Sequence, residues 1–337
     1  MDQNYSPEAV FTFVKHLKEG DNVLQYFQLR GKDLRKTRSG QDYLDLTVGD
    51  ATGTITGKMW SDAIRKWGHD FVAGDFIKLE GRVETYRDRF QIVVDKIRRA
   101  DAAEIPDTSL LIRTSQCDPD SLFKELIGIA ATLRPESLGQ VVVHILEKYS
   151  SSLMTYPAAK MIHHAYEGGL IEHICAVTRK VGAIVELGKN INGSIALAGA
   201  ILHDIGKVIE LNSTGLERTP EGRLIGHVVL GVTIIRDAAI ENGVVDAPWL
   251  NEIEHIILSH HGETQFGAPV RPLTREAIVV HFIDNLDSKL KIIEEALENK
   301  DPIGFSPYNK WLEGRAFAGT VTKTEEEDDG NNTRKIE

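Results

Sequence analysis

Short runs in which apolar and polar residues alternate fill the chain from about residue 21 to residue 100. Five runs are separated by turns rich in Gly, Asp and Ser: VLQYFQLRG, YLDLTVGD, GTITGKMW, DFIKLEGRVETY and RFQIVVDKIRR. Alternation with a period of two predicts half-buried β-strands. One helix-like segment, SDAIRKWGHDF, follows the third run. This order of elements predicts a small closed β-barrel over residues 21–100.

Helical periodicity replaces this pattern further along the chain. Residues 101–119 have little periodicity and are predicted to form a linker, whereas 120–300 carry helix-like segments such as DSLFKELIGIAATL and SLGQVVVHILEKY. Residues 1–20 and 301–337 are predicted to be terminal extensions. The acidic end, TKTEEEDDGNNTRKIE, has almost nothing to bury and is expected to be disordered. The prediction is a multidomain chain, with an all-β barrel followed by an all-α domain.

Composition narrows the environment in which the chain works. No apolar run is long enough to span a membrane, and the start MDQNYSPEAV lacks the features of a signal peptide, so we expect a cytoplasmic protein with no membrane partner. Only Cys117 and Cys175 occur, without CxxC spacing. A metal ion would therefore be held by histidines and carboxylates.

The predicted barrel differs from the rest of the chain in charge. The whole chain has a formal charge of −11, but residues 21–100 contain 15 Lys and Arg against 12 Asp and Glu, a balance of +3. The strand order resembles the OB-fold, which commonly binds single-stranded nucleic acid. Stacking and phosphate contacts would suffice for such binding. The candidate contacts are Phe27, Tyr43, Trp60, Tyr86, Phe90, Arg35, Arg38, Lys58, Arg87 and Arg89. Strand alternation should place about half of these aromatic residues in the core.

Histidines are concentrated in the helical half, since nine of the twelve lie between residues 163 and 281. His173, His227, His260 and Asp284 each fall on an apolar stripe of a predicted helix. A buried carboxylate without a cation carries a desolvation penalty of several kcal/mol, which shared coordination removes. Imidazole and carboxylate ligands without thiolate suit Mn, Fe, Co or Zn, and suit Mg less well. The pattern predicts a metal centre.

The order of these residues resembles the HD superfamily of metal-dependent phosphohydrolases. An isolated histidine precedes a His-Asp pair in LHDIGKVIEL, and two later histidines precede a final aspartate. The resemblance implies an HD domain and hydrolytic phosphoryl transfer at two metal ions, with Asp204 bridging them. The implied ligands are His173, His203, Asp204, His227, His260 and Asp284.

A second resemblance covers nearly the whole chain. An OB-like domain ahead of HHAYEGGLIEH, LHDIGKVIEL, LIGHV, ILSHHG and HFIDNLDSK is similar to the bacterial YhaM-type 3′-to-5′ exoribonucleases. It implies trimming of single-stranded RNA, and often DNA, from a free 3′ end. The expected cofactor is Mn²⁺, with Co²⁺, Fe²⁺ and Mg²⁺ as alternatives.

Four further residues are candidates at the same site. Lys207 follows His203 by one helical turn, so its ammonium could meet a phosphate oxygen, although a solvated helix end is the alternative. His261 could protonate the leaving oxygen, bind metal or contact substrate. His163 and His164 could stand at the mouth of the site or be ordinary turn residues.

Two other functions are compatible with the sequence. One is a nucleotide or cyclic-nucleotide phosphohydrolase with a regulatory barrel, although a small substrate does not require the barrel. The other is a non-catalytic nucleic-acid-binding adaptor, which the intact ligand pattern disfavours. A homo-oligomer is compatible with all of these functions.

Overall fold

A computed structural model describes residues 11–37, 39–86, 89–111, 115, 117–158, 166–212, 218–298, 300–309 and 311–319. The chain forms two compact units, residues 1–287 and residues 288–337, and each is described by itself. The first unit contains a β-barrel and a helical region, and the second is small. The domain limits drawn from the sequence stay predictions.

A closed five-stranded barrel opens the first unit, as predicted. Its strands are β1 (Asn22–Lys36), β2 (Asp42–Asp50), β3 (Gly53–Trp60), β4 (Phe76–Tyr86) and β5 (Arg89–Arg99), with helix α1 (Ser61–Trp67) between β3 and β4. The strand order is β1-β2-β3-β5-β4, and β4 pairs with β1 to close the barrel. All neighbouring strands are antiparallel except β3 and β5, which pair in parallel.

Alternation along the strands separates the barrel core from its surface. In β2, Leu44, Leu46 and Val48 are buried, whereas Thr47 between them is exposed. Phe27 of β1 is fully buried in this core, so its suggested role in nucleic-acid contact is wrong. Among the five candidate aromatic residues only Phe27 belongs to the core, which is fewer than the half expected.

The helical region of the chain begins at Pro119. Its helices are α2 (Pro119–Thr132), α3 (Glu136–Lys148), α4 (Ser150–Thr155), α5 (Gly169–Leu187), α6 (Gly193–Leu202), α7 (Lys207–Glu210), α8 (Pro220–Leu224), α9 (His227–Glu241), α10 (Pro248–Ser259) and α11 (Arg275–Leu297). Several of these helices have an N-cap residue whose side chain accepts hydrogen bonds from backbone N–H groups of the first turn. Asp118 caps α2, Asn192 caps α6 and Thr219 caps α8.

One apolar core joins most of these helices. Helix α6 is buried along almost its whole length and packs between α5 and α10, where Ile201 and Ile256 are fully buried. The predicted stripe of α5 is buried at Leu170, Val177 and Val181 but ends before Ile184, which is exposed. Burying α6 fixes where its C-terminal end lies, and the His-Asp pair follows that end directly.

The second unit, residues 288–337, contains the end of α11 and a short segment of turns. Arg315 pairs with Asp301 and donates to the backbone oxygen of Ser306, and the rings of Phe305 and Phe317 pack 4.6 Å apart. The predicted disordered tail lies wholly outside the described residues. No helix in the described ranges has both the length and the apolar character needed to cross a membrane.

Candidate active site

The six predicted metal ligands come together from five separate places in the chain. They are His173 in the middle of α5, His203 and Asp204 just after α6, His227 as the first residue of α9, His260 just after α10, and Asp284 in α11. His173, His203, Asp204 and His260 are almost completely buried, at 0–2% exposure. Charged and polar groups this deep need partners in the protein or a bound cation.

Four of the residues form a first cluster: His173, His203, Asp204 and Asp284. The Nε2 atoms of His173 and His203 lie 3.2 Å apart, and His173 Nε2 is 3.2 Å from Asp284 Oδ1. Asp204 Oδ2 lies 3.4 Å from His203 Nε2 and 3.5 Å from His173 Nε2. These nitrogen and oxygen atoms face a common centre.

Three histidines form a second cluster: His227, His260 and His261. One ring nitrogen from each lies within 4.8 Å of those of the other two. The other oxygen of Asp204, Oδ1, is 3.5 Å from His227 Nε2 and 3.7 Å from His260 Nε2. Asp204 therefore stands between the clusters, with one carboxylate oxygen toward each.

The donor atoms of the two clusters fit divalent metal ions. Asp204 Oδ1, His227 Nε2 and His260 Nε2 are buried and make no hydrogen bond to any described residue. Atoms bound at about 2.1 Å to one tetrahedral ion lie about 3.4 Å apart, close to the spacings in the first cluster. Buried donors that converge without hydrogen bonds are the arrangement expected of metal ligands.

Comparisons with known proteins agree with this geometry. Residues 170–289 match the HD domain family, and residues 27–100 match the OB-fold nucleic acid binding domain family. The 3′-5′ exoribonuclease YhaM of Bacillus velezensis is 32% identical over 299 residues, which cover 88% of this chain and 95% of that protein. The protein of the same name from Geobacillus sp. is 30% identical over 305 residues, covering 90% and 94%.

The chain belongs to the YhaM family.

An HD domain implies a divalent metal, and the two clusters of this YhaM-family chain are groups of side chains that could hold a metal ion. The ends of two helices set the direction of two ligands. His203 Nδ1 lies 2.8 Å from the carbonyl oxygen of Ala200, and His260 Nδ1 lies 2.7 Å from that of Ile257. A carbonyl only accepts, so Nδ1 donates in both rings, and in a neutral ring Nε2 then carries the lone pair. The last carbonyls of α6 and α10 lack helical N–H partners, and these bonds satisfy them.

Glycine lets two segments of the site approach each other closely. A Cβ atom on Gly206 would lie 1.9 Å from the backbone oxygen of His227, so the HDIG segment can lie against the start of α9 only without a side chain there. Gly262 has a φ of +79°, and a Cβ there would meet the ring of His281. His281 Nδ1 donates to the backbone oxygen of His260, which holds the His260–His261 segment against α11.

Electrostatics differ between the histidines of the two clusters. Burial alone would lower the pKa of His173, but the hydrogen bonds that its ring donates to Asp284 and Asp287 outweigh burial and raise the pKa to about 9. Burial, together with the neighbouring His261, holds the pKa of His260 well below its usual value. Burial opposes ionisation of Asp204, yet Lys207 and His203 hold the pKa of this carboxyl well below its usual range.

The structure brings two of the remaining candidates to the site. Lys207 Nζ donates to Asp204 Oδ2 at 2.6 Å, and its side chain is only 13% exposed. His261 belongs to the second cluster, and its Nδ1 lies 2.9 Å from the backbone oxygen of Phe266. His163 and His164 lie outside the described residues, so their suggested place at the mouth of the site stays a prediction.

Two buried carboxylates at the site were missed by the sequence analysis. Asp287 lies 2.7 Å from His173 Nδ1, and Glu210 lies 3.1 Å from His227 Nδ1. Asp287 follows Asp284 by three positions, so the two acidic residues share a face of α11. That spacing could have identified Asp287, whereas Glu210 stands in an apolar run with no such signal.

The barrel presents aromatic and basic side chains on its surface. The rings of Tyr43 and Trp60 face each other across β2 and β3, with centroids 5.4 Å apart, and Lys58 Nζ lies 5.0 Å from the Tyr43 ring. Lys58 and Arg35 both pair with Asp45. The other described candidates, Tyr86, Phe90 and Arg89, are exposed at the paired ends of β4 and β5, whereas Arg38 and Arg87 lie outside the described residues.

Proposed function

We propose that this chain is a metal-dependent 3′-to-5′ exoribonuclease that hydrolyses the phosphodiester bonds of single-stranded RNA. The observation that best supports this proposal is that the two carboxylate oxygens of Asp204 face different clusters. Oδ2 lies in the first cluster, and Oδ1 points toward the second. Membership in the YhaM family supports the same activity, because the relatives are named 3′-5′ exoribonucleases.

The proposed cofactor is a pair of Mn²⁺ ions. His173, His203, Asp204 and Asp284 would hold one ion, and His227 and His260 would hold the other together with Asp204. Bound divalent ions supply Lewis-acid chemistry, which neutralises charge on a phosphodiester and activates water. His261 is close enough to the second cluster to bind metal or to donate a proton to the leaving oxygen.

Lys207 would bind the phosphate while it holds Asp204. An ammonium has three N–H donors, and the hydrogen bond to Asp204 Oδ2 uses one of them. The other two can meet oxygens of the phosphodiester and stabilise the charge that develops on them.

The barrel would hold the RNA strand. Tyr43 and Trp60 offer adjacent rings on which bases can stack, and Tyr86 and Phe90 are exposed beside Arg89. The match of residues 27–100 to the OB-fold nucleic acid binding family supports this assignment. Single-stranded DNA would be bound in the same way, because stacking and phosphate contacts do not require the 2′-hydroxyl.

The test is a time course with purified full-length chain, Mn²⁺ and 5′-labelled single-stranded RNA, resolved on a gel. A ladder that shortens progressively supports the proposal, and a circular RNA of the same sequence should resist because it has no 3′ end. Asp204→Asn and excess chelator are the inactive controls. Unchanged linear RNA beside hydrolysed nucleotides would support the nucleotide phosphohydrolase, and binding without any hydrolysis would support the adaptor.

The cytoplasm is the proposed location of this activity. Both Cys117 and Cys175 are free thiols. Free thiols persist in a reducing compartment, whereas an oxidising compartment favours disulfides.

A further inference from the structure

Two buried carboxylates stand behind the proposed metal ligands. Asp287 Oδ2 lies 2.7 Å from His173 Nδ1, and Glu210 Oε2 lies 3.1 Å from His227 Nδ1. Asp287 and Glu210 are only 5% and 4% exposed. In both histidines the nitrogen that meets the carboxylate is the one opposite the cluster, because Nε2 faces Asp204.

In each cluster, one histidine has its Nδ1 atom against a buried carboxylate, and another donates its Nδ1 proton to a backbone oxygen of the helix that it follows. His203 and His260 donate to backbone oxygens three residues earlier, so their ring orientation is fixed locally. His173 lies in the middle of α5, where the preceding carbonyl oxygens accept hydrogen bonds within the helix. His227 is the first residue of α9, so the carbonyls that precede it lie outside the helix. The orientation of these two rings depends on a side chain from elsewhere.

A basic residue holds the other oxygen of each carboxylate. Lys180 Nζ lies 2.5 Å from Asp287 Oδ1, and Arg218 Nε lies 3.3 Å from Glu210 Oε1. The side chains of Lys180 and Arg218 are 36% and 52% exposed. Both positions therefore have the same chain of contacts, from a base at the surface through a buried carboxylate to a histidine of the site.

We propose that Asp287 and Glu210 are positioning residues, one for each metal position. Each accepts the Nδ1 proton of its histidine, which keeps the lone pair on Nε2 and aims it at the cluster. Asp287 acts through His173 on the first cluster, and Glu210 acts through His227 on the second. Lys180 and Arg218 hold the two carboxylates in place. The inference rests on the metal positions of the proposed function.

Carboxylates that orient metal-binding histidines have a known range of effect. Their removal typically weakens metal affinity by about 10- to 100-fold, because the ring loses its orientation and part of its basicity. Asp287→Asn and Glu210→Gln remove the charge with little change of shape. Each should weaken the binding of one ion by this factor and leave the other ion in place, and the double variant should weaken both.

The chain offers a matched control at its surface. Glu241 accepts from His144 Nε2 at 2.7 Å and from Lys148 Nζ at 2.8 Å, so it forms the same histidine, carboxylate and lysine arrangement away from the clusters. Its side chain is 45% exposed. Glu241→Gln should bind Mn²⁺ as the wild type does.

The experiment is equilibrium dialysis of the full-length chain against a series of Mn²⁺ concentrations, with bound metal measured by mass spectrometry. The inference is supported if the wild type binds two Mn²⁺ ions and if Asp287→Asn and Glu210→Gln each bind one of the two ions more weakly. A further readout is RNA hydrolysis, in which the Mn²⁺ concentration for half-maximal activity should rise while kcat at saturating Mn²⁺ recovers. A merely structural role would not give that separation.

Two outcomes would overturn the inference in distinguishable ways. Wild-type chain that binds no Mn²⁺ overturns both the proposed function and the positioning roles. Wild-type chain with two ions, beside variants of unchanged affinity, overturns the positioning roles alone. If either variant fails to fold by circular dichroism, Lys180→Ala and Arg218→Ala decide the matter. These variants keep the carboxylates but remove the basic side chains that contact them. Unchanged Mn²⁺ affinity in both variants would reject the inference.

Discussion

Lys207 Nζ donates to Asp204 Oδ2 across 2.6 Å, so the carboxylate shared by the two clusters also carries an ammonium. A cation beside proposed metal positions does not help metals to bind, because like charges repel. Its benefit must therefore come from another step, and a phosphate oxygen is the anion that the reaction brings to this place.

Replacing Lys207 with Met should accordingly separate metal binding from turnover. We expect bound Mn²⁺ to be retained or tightened, since a positive charge is removed, while kcat on RNA falls by about 10²-fold, the loss typical of one electrostatic donor to the transition state. Metal analysis and single-turnover hydrolysis measure the two effects. Lys207→Arg keeps the charge and should retain more activity than Lys207→Met. Wild-type kcat in Lys207→Met would exclude the lysine from the reaction.

Gly206 should be intolerant of even one added carbon. A Cβ atom there would lie 1.9 Å from the backbone oxygen of His227, and relieving that overlap must move α9 away from the HDIG segment. We expect Gly206→Ala to lower the free energy of unfolding by about 1–3 kcal/mol or more and to reduce the Mn²⁺ bound at the second cluster. Chemical denaturation and metal analysis test the two parts.

Gly128 provides the control for that substitution. It is exposed within α2, and nothing lies within 4 Å of an added Cβ atom. Gly128→Ala should raise stability by about 0.5–1 kcal/mol, because alanine loses less backbone entropy in a helix. Equal stability of the two variants would contradict the proposed close contact at Gly206.

Stacking on the barrel should matter for long RNA and not for small substrates. Removing both rings in Tyr43→Ala/Trp60→Ala should weaken binding of single-stranded RNA by about 1–3 kcal/mol for each base that stacks. Hydrolysis of a small chromogenic phosphodiester should stay unchanged, because that substrate has no run of bases to stack on the two rings. Trp67→Ala removes another half-exposed indole, on α1, and serves as the control. RNA affinity equal to that of the wild type would remove this pair from the interface.

The two cysteines should differ in reactivity. Cys117 is exposed, whereas burial raises the pKa of the Cys175 thiol to about 12 and its Sγ lies 3.5 Å from the backbone oxygen of Leu122. Because the thiolate is the reactive form, a thiol reagent at pH 8 should modify one cysteine per native chain and two in denaturant. Two fast-reacting thiols in the native chain would show that the packing between α2 and α5 opens readily.

The gathering of histidines at one site could be predicted in part because several of them interrupt an apolar stripe. His173 stands in line with Leu170 and Val177, and a polar residue in such a line needs a buried partner. The barrel strands were equally visible, because alternation with a period of two is a local property of the sequence. Both predictions depend on residues that lie close together in the chain.

The missed features depend on contacts between distant segments. Glu210 ends the short helix KVIE, and nothing in that segment shows that His227 will face it. Lys58 and Arg35 read as free bases in the sequence, yet both pair with Asp45 once β1, β2 and β3 lie side by side. Charge counts cannot reveal such pairing, because they do not show which side chains become neighbours.

Some site histidines have hydrogen-bond partners close by in the sequence, and others have partners far away. This difference sets the order in which parts of the site can form. His203 and His260 can take their orientation as soon as α6 and α10 form, since their partners are three residues away. His173 must wait for Asp287, which follows it by 114 residues along the chain. A nascent chain that has emerged only as far as residue 274, before α11, thus has the three histidines of the second cluster but lacks Asp284 and Asp287 beside the first. Nuclease activity would then begin only after α11 has been synthesised and has packed into the helical core, to which it contributes Ala277 and Val280.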